Sequence, residues 1–327
     1  MEDKKLVVSI LVPVYGVEKY IGKCAASLFE QTYENIEYIF VNDHTHDNSI
    51  SILKKTIDKY PLRKPYVKII SHAENKGLAI ARNTALENSS GDYLMHVDAD
   101  DFIGKNAVKI MLKKAVETDA DIVSCNFFLS YGDKHKIVHN DIPEKKEDYI
   151  ISLLTKRTSP CIWGKLFMAD LYKKQKIRAI EGLNYGEDYV TVPRLVYFAK
   201  HIVHIDEPLY YYNQYNQSAY TKNISQKSLD QMVWADKILE EFFSSVPDNE
   251  KYTKALILSK LRTKVNLLKR GNKALFKMIT SLYPELTVHY RFMLSYKDRI
   301  LLTLVENHLY TLALIYIRFG FFISRLK

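Results

Sequence analysis

Cysteine is scarce. The three residues Cys24, Cys125 and Cys161 lie far apart and share no C-x-x-C spacing. That excludes a disulfide framework and a cysteine-rich metal site, and fits buried thiols kept reduced in a cytosolic protein. Long apolar runs are also missing. The stretch Leu309 to Ile323 is broken by Arg318 and falls short of the roughly 20 residues that a spanning helix needs. The N-terminal apolar run, Leu6 to Val14, is short, rich in β-branched residues and interrupted by Pro13. It reads as a first β-strand, not a signal peptide. Glycine-rich phosphate loops are absent. The turn after that strand reads Pro13-Val14-Tyr15-Gly16, and neither G-x-G-x-x-G nor G-x-x-x-x-G-K-[ST] occurs. A dinucleotide fingerprint and a phosphate loop are thereby excluded. No internal repeat and no known nucleic-acid motif is found.

What is present describes a globular chain. Its 327 residues are 47% hydrophobic and 26% charged, which allows one large or two small domains with a real core. The net charge of +9 is unevenly placed. Residues 251–327 carry 15 Lys and Arg against Glu285, Asp298 and Glu306, a net of +12; the other 250 residues carry 32 positive and 35 negative, a net of −3. Such asymmetry points the basic tail at an anionic surface. The apolar end, closed by Arg325 and Lys327, fits an interfacial membrane helix; a helix packed on the body or on a second subunit is the alternative.

From the N-terminus to about residue 127, apolar runs alternate with segments of helical period. Strands are expected at Leu6–Val12, Ile36–Val41, Val67–Ser71, Tyr93–Val97 and Ile122–Phe128. Helices are expected at Glu18–Gln31, Asn48–Tyr60, Leu78–Asn88 and Ala107–Glu117. This alternation predicts an α/β fold with a mostly parallel sheet and helices on both faces. Beyond residue 225 all segments have a helical pattern. In an open parallel sheet, ligands bind beyond the carboxyl ends of the strands. Pro13-Val14-Tyr15, Asn42-Asp43 and Asp98-Ala99-Asp100 should therefore meet on one rim.

Two acidic clusters carry the chemistry. The apolar run Tyr93–Val97 ends in Asp98, Asp100 and Asp101. Carboxylates this close repel one another. Either they are a solvated strand end, with Asp101 capping a following helix, or they hold a divalent cation that offsets the repulsion. The second cluster, Glu187-Asp188, follows a glycine-bearing loop and opens an apolar-periodic segment. Favourable placement against a helix dipole and a general base on a mobile loop are both open readings.

Taken together, these stretches resemble the family 2 glycosyltransferases with the GT-A fold, over roughly residues 6–220. The matching pieces are Val8–Tyr15, Ser27–Tyr33, Asp47-Asn48-Ser49, Asn75-Lys76-Gly77 with Ala81-Arg82-Asn83, Gly91-Asp92-Tyr93 and the D-x-D stretch Asp98–Asp101. The resemblance implies inverting transfer of a sugar from a nucleotide diphosphate sugar, most often a uridine one. It implies that Pro13, Tyr15, Asp43, Arg82 and Asp98 bind the nucleotide. Asp100 with Asp98 would ligate Mn²⁺ or Mg²⁺, and Glu187-Asp188 would be the catalytic pair, with Asp188 the base. Trp163 and Lys165 resemble the Trp-x-Lys-Leu segment on the acceptor side of capsule and lipopolysaccharide sugar transferases; a core role for Trp163 fits equally. The chain departs from the family at Asn42-Asp43-His44-Thr45, where the family has Asp-Asp-Gly-Ser. His44 stands where a glycine would suit a tight turn. His44 and His46 read as solvated loop residues, not ligands.

The expectation is thus a catalytic domain over 1–220, with its nucleotide-sugar half at about 1–130 and its acceptor half at about 131–220. A helical, basic region over 221–327 would meet a membrane surface or form oligomers. The partners are a nucleotide diphosphate sugar and a glycan or lipid-linked acceptor in bacterial surface polysaccharide synthesis, with no nucleic acid. The place is the cytoplasm, peripheral at the inner face of the cell membrane. A non-catalytic nucleotide-sugar-binding scaffold is the alternative. A sugar nucleotidyltransferase fits less well, because it would want a glycine-rich basic loop after the first strand.

Overall fold

The computed structural model describes residues 5–215, 225–270 and 273–325, the last seven of these by their backbone alone. Lys327, part of the expected basic end, lies outside them. The chain divides into two compact units. One comprises Met1–Ile150 and Thr158–Ala219; the other comprises Ile151–Arg157 and Tyr220–Lys327.

The first unit is built on one sheet. Its strands are β1 (Val8–Val14), β2 (Ile36–Asn42), β3 (Val67–Ser71), β4 (Tyr93–His96), β5 (Phe102–Ile103), β6 (Ile122–Tyr131), β7 (Lys134–Val138), β8 (Lys165–Met168) and β9 (Ile202–Asn213). The helices between them are α1 (Ile21–Phe29), α2 (Ser49–Ile57), α3 (Leu78–Glu87), α4 (Ala107–Thr118), α5 (Lys146–Leu154), α6 (Ala169–Gln175) and α7 (Glu187–Phe198). The order across the sheet is β3-β2-β1-β4-β8-β6-β9-β5, with β7 paired to β6. β1 pairs in parallel with β2 and β4, and β2 with β3. These strands lie between helix layers, so β1 and β2 are apolar nearly throughout and almost wholly buried.

Side chains alternate across the sheet. Ile10, Val12, Tyr38, Phe40, Met95 and Val123 pack with Leu28 and Phe29 of α1, Leu53 of α2 and Met111 of α4. The opposite face carries Ser9, Glu37 and His96 and is covered by α3, α6 and α7. Glu37 closes a turn there. Its buried carboxylate accepts bonds from Ser9 Oγ (2.5 Å), Ser90 N–H (2.5 Å) and Gly91 N–H (3.0 Å), and pairs with Lys68.

The sheet is more mixed than the alternation predicts. β8 enters antiparallel between β4 and β6, and β6 and β9 run parallel beyond it. Its four residues, Lys-Leu-Phe-Met, are too short to show a period. The β6–β7 hairpin was likewise not read from sequence.

The second unit is helical among its described residues: α8 (Gln226–Ser245), α9 (Glu250–Arg270), α10 (Lys273–Thr280), α11 (Pro284–Tyr290), α12 (Tyr296–Glu306) and α13 (Tyr310–Arg325). Its core joins Leu229, Leu261, Val265, Leu268, Phe276, Leu301, Leu302 and Val305. No helix among the described residues is long and apolar enough to cross a membrane. Val288, Phe292, Tyr296, Leu312 and Ile315 are exposed.

Candidate active site

Because β2, β1 and β4 are parallel neighbours, the residues that follow them share one rim. Tyr15 follows β1 and is exposed, while Pro13, near the end of β1, is half-buried. Asp43 follows β2 and is buried. One of its oxygens accepts Lys76 N–H at 2.8 Å and meets His72 Nδ1 at 2.7 Å; the other accepts Gly77 N–H at 2.8 Å. Asp43 thus anchors the loop that starts α3. At Gly77, φ is +88°, and a Cβ would lie 2.4 Å from the Asn184 side chain, whose oxygen accepts Ala79 N–H. Only glycine fits this junction.

The turn after β2 keeps its shape without glycine. His44 has φ +57°, the left-handed geometry that glycine adopts most easily. His44 and His46 meet edge to face at 4.9 Å, and His46 is exposed. Asp47 ties this turn to β1: it accepts Glu18 N–H at 2.9 Å, Thr45 Oγ1 at 2.8 Å and Ser49 Oγ at 2.6 Å.

The centre of the rim is Arg82 of α3, which is buried. Its Nη2 donates to Asp98 Oδ1 at 3.0 Å, and its Nη1 to Glu187 Oε1 at 3.0 Å and to Asp188 Oδ1. One guanidinium therefore gathers the acid after β4 and both acids in the first turn of α7. Asp188 Oδ2 also accepts Ile162 N–H at 3.1 Å. The pair Glu187-Asp188 sits on a fixed helix start, not on a loose loop. Asp98 and Asp188 remain reachable, with side chains 26% and 20% exposed. Arg82, which the family resemblance assigns to the nucleotide, faces these three carboxylates.

Electrostatics follow from this packing. Burial works against the Arg82 charge, but Asp188, Asp98 and Glu187 more than offset it and raise its pKa. Burial pushes Glu187 up to about 8, with Asp188 adding and Arg82 opposing. Burial likewise lifts Asp98 to about 6 against the pull of Arg82, with Asp100 adding. His96, behind the cluster, is driven down to about 3 by burial and by Arg82, so its ring is neutral. Arg82 Nε, His96 Nδ1 and Thr191 Oγ1 are buried without a hydrogen-bond partner among the described residues. All three side chains line one internal cavity of about 10 Å³, near the size of a single water.

Asp101 caps no helix; α4 starts after Asn106. Its buried carboxylate accepts Tyr210 O–H at 2.7 Å and Asn213 N–H at 2.7 Å, which fixes the end of β9 beneath the acidic turn. Asn213 also donates to the Asp100 carbonyl at 3.1 Å. Sequence reasoning missed this brace because its partners lie 109 to 113 positions away. Among the described residues, no three His, Cys, Asp or Glu side chains are grouped to enclose a metal ion. Mg²⁺ and Mn²⁺ need only one or two carboxylates when substrate phosphates complete the shell. Asp98 and Asp100, two residues apart on one turn, meet that smaller demand.

The two acceptor-side candidates are packed inside. Trp163 stacks on Tyr210 at 4.6 Å and on Tyr212 at 5.1 Å, and is buried. Of the two roles open to it, the structure gives it the core one. Lys165 is wholly buried; its ammonium donates to the Cys161 carbonyl at 2.7 Å and lies 3.5 Å from Cys161 Sγ. It cannot reach an acceptor from there.

Known proteins resemble this chain in sequence and in fold. Residues 9–174 match glycosyl transferase family 2. The chain is 33% identical over 212 residues to the putative glycosyltransferase EpsH of Bacillus subtilis, covering 63% of this chain and 60% of that protein. It is 33% identical over 224 residues to the glycosyltransferase GlyA of Streptococcus pneumoniae, covering 65% of this chain and 31% of that protein. These matches span less than two thirds of either relative. The crystal structure of S. aureus TarS in complex with UDP-GlcNAc superposes with a TM-score of 0.61 at 20% identity, over 96% of this chain and 92% of that one. A mannosyltransferase from Pyrobaculum calidifontis in complex with GDP-Man and Mn²⁺ gives 0.50 at 15% identity, over 95% and 85%. The shared architecture is the GT-A fold with a helical C-terminal region.

Proposed function

The chain belongs to glycosyltransferase family 2, and from that membership we propose that it moves a sugar from a uridine diphosphate sugar to a hydroxyl of a glycan or lipid-linked acceptor in surface polysaccharide synthesis. The observation that carries the proposal is Arg82, which draws Asp98 and the Glu187-Asp188 pair onto one rim. Donor chemistry and acceptor chemistry need carboxylates on opposite sides of one reacting carbon, supplied by separate elements. The turn after β4 and the start of α7 are such elements. The uridine reading is supported by TarS, whose crystal structure holds UDP-GlcNAc.

In this mechanism Asp98 and Asp100 would hold Mn²⁺ or Mg²⁺, which would neutralise charge on the diphosphate leaving group. Pro13, Tyr15 and Asp43 border the nucleotide. Arg82 and Ile162 N–H orient the Asp188 carboxylate. Asp188 accepts the proton of the attacking hydroxyl as the new glycosidic bond forms and the glycosyl–phosphate bond breaks. A single displacement with one base and no covalent nucleophile inverts the anomeric carbon. Glu187, more buried than Asp188 and pushed up to about 8 by that burial, supports Asp188 and does not replace it.

Residues 1–220 form the catalytic part of this proposal, and 221–327 the part that meets an anionic membrane face from the cytoplasmic side. That second reading is supported by the +12 balance of residues 251–327 and by the exposed Val288, Phe292 and Tyr296.

The test is donor turnover with Mn²⁺, followed by nucleotide release from UDP-glucose, UDP-galactose and UDP-GlcNAc. Wild type should release UDP from at least one. Asp188→Asn should lose on the order of 10²–10⁴ in rate while still binding the nucleotide. Full turnover in that variant would remove Asp188 from its role.

A further inference from the structure

A cavity that Arg82 does not line opens at an irregularity between β6 and β9. These strands pair in parallel, but the register jumps from Cys125↔Ile205 to Asn126↔Pro208. Asp206 and Glu207 are left without partners on β6 and bulge out of the ladder, a device common beside binding sites. Behind the bulge sits Asn126, fully buried. Its oxygen accepts Asn140 N–H at 2.8 Å and His204 Nε2–H at 3.0 Å, and its amide donates to Asp206 Oδ1 at 2.5 Å. His204 Nδ1 meets Ser124 Oγ at 2.9 Å. His139 lies 3.3 Å from Asp206. Asn126, His139, Asn140, His204 and Asp206, with Asp141, Ile142 and Pro143, line a cavity of about 490 Å³, a size suited to a small ligand.

The lining selects the ligand class. No Lys or Arg borders the cavity, so a phosphate or nucleotide has no counter-charge there. Among the described residues no metal-binding group of three forms. Ile142 and Pro143 are the lone apolar lining residues, too little for an acyl chain. What remains is a dense set of amide, imidazole and carboxylate groups, braced from behind by buried Asn126. These suit a neutral ligand rich in hydroxyls, which both donates and accepts.

Sheet register places this cavity relative to the acids. Met95 and Val123 both pair with Leu166, so the three share a row across β4, β8 and β6. That row spans two strand spacings, roughly 10 Å; Asp98 follows the end of β4, and Asn126 lies three residues beyond Val123 on β6. The segment between is tied at both ends: Thr158 Oγ1 donates to the Asp141 carbonyl at 3.0 Å, and Ile162 N–H donates to Asp188.

We propose that this cavity is a subsite for a sugar residue of the acceptor, set back from the hydroxyl that reacts at Asp188. The proposal rests on the glycosyl-transfer reading above. Its probes are methyl glycosides and disaccharides of glucose, galactose, N-acetylglucosamine and rhamnose, followed by saturation-transfer NMR on the full chain. Asp206 and His139 have side chains 82% and 67% exposed, but both face the buried Asn126 amide, so the fold of D206A/H139A is checked by its circular dichroism and by its UDP binding. At least one sugar should bind wild type and bind the double variant roughly tenfold more weakly, the equivalent of one charge-assisted hydrogen bond. UDP with Mn²⁺ should bind both proteins equally. A sugar that binds both equally, or no sugar binding to a wild type that binds UDP, overturns the subsite alone. Failure to bind any nucleotide overturns the transfer reading, and the subsite with it.

Discussion

Replacing Arg82 by methionine keeps much of the side-chain volume and removes one charge from beneath three carboxylates. Burial already pushes Glu187 up to about 8 and Asp98 to about 6, and the variant leaves both facing Asp188 without the guanidinium between them. Breaking a buried ion pair by removing one partner costs about 3–5 kcal/mol. The variant can escape part of this by taking up a proton. Protonating a carboxylate with an ordinary pKa near 4 costs about 4 kcal/mol at pH 7 but only about 2 kcal/mol at pH 5.5. The penalty should therefore sit near 3–5 kcal/mol at pH 7 and fall by about 2 kcal/mol at pH 5.5. The sign follows from linkage: burial already holds Glu187 and Asp98 above their unfolded pKa values, and without Arg82 they rise further, so the variant loses more stability than wild type as pH rises. At about 2–4 °C per kcal/mol for a unit of this size, Tm should drop by roughly 6–20 °C at pH 7, and clearly less at pH 5.5. Calorimetric melts of both proteins at the two pH values read this directly. A drop below 2 °C at pH 7, or an equal drop at both, would refute Arg82 as the hub of the acidic cluster.

Three further outcomes are expected. Gly77→Ala combines a positive φ with a clash on Asn184 and should cost about 2–4 kcal/mol, measured by urea unfolding; an unchanged midpoint would contradict the junction described. Burial works against the Glu37 carboxylate, but hydrogen bonds from Ser9, Ser90 and Lys68 outweigh it and hold its pKa below the ordinary value. Its contribution is present above pH about 4.5 and disappears as pH falls through the lowered pKa. Glu37→Gln should cost about 1–3 kcal/mol at pH 7 and progressively less as the pH falls below the ordinary carboxylate range. Finally, a crystal structure at high resolution should place an ordered water among Arg82 Nε, His96 Nδ1 and Thr191 Oγ1; apolar density, or none, would argue against it.

The parallel half of the sheet was legible because β1, β2 and β4 are short apolar runs bounded by polar turns, a local signal. Asp98, Asp100 and the Glu187-Asp188 pair were legible for a related reason: acids at element ends break a pattern. What joins them was not. Arg82 sits 105 and 106 positions before its α7 partners, and no periodicity spans that distance. Asp101 looked like a cap because its true partners, Tyr210 and Asn213, arrive from β9. Trp163 and Lys165 illustrate the converse. Residue types that suit a sugar site were drawn inward, one by a stack of tyrosines and one by a carbonyl that satisfies a buried ammonium. The His44 turn shows that a lost glycine need not mean a lost backbone geometry. A left-handed non-glycine residue costs about 1–2 kcal/mol, which the rest of the fold can supply.

The most direct test of the central claim is titration calorimetry with UDP, GDP, CDP and dTDP, each with Mn²⁺ and with EDTA, on wild type and Asp100→Asn. The account predicts that UDP binds wild type with Mn²⁺, that binding weakens sharply in EDTA, and that Asp100→Asn weakens it to the same degree. UDP binding that ignores both the metal and Asp100, or no nucleotide binding by folded protein, would contradict it.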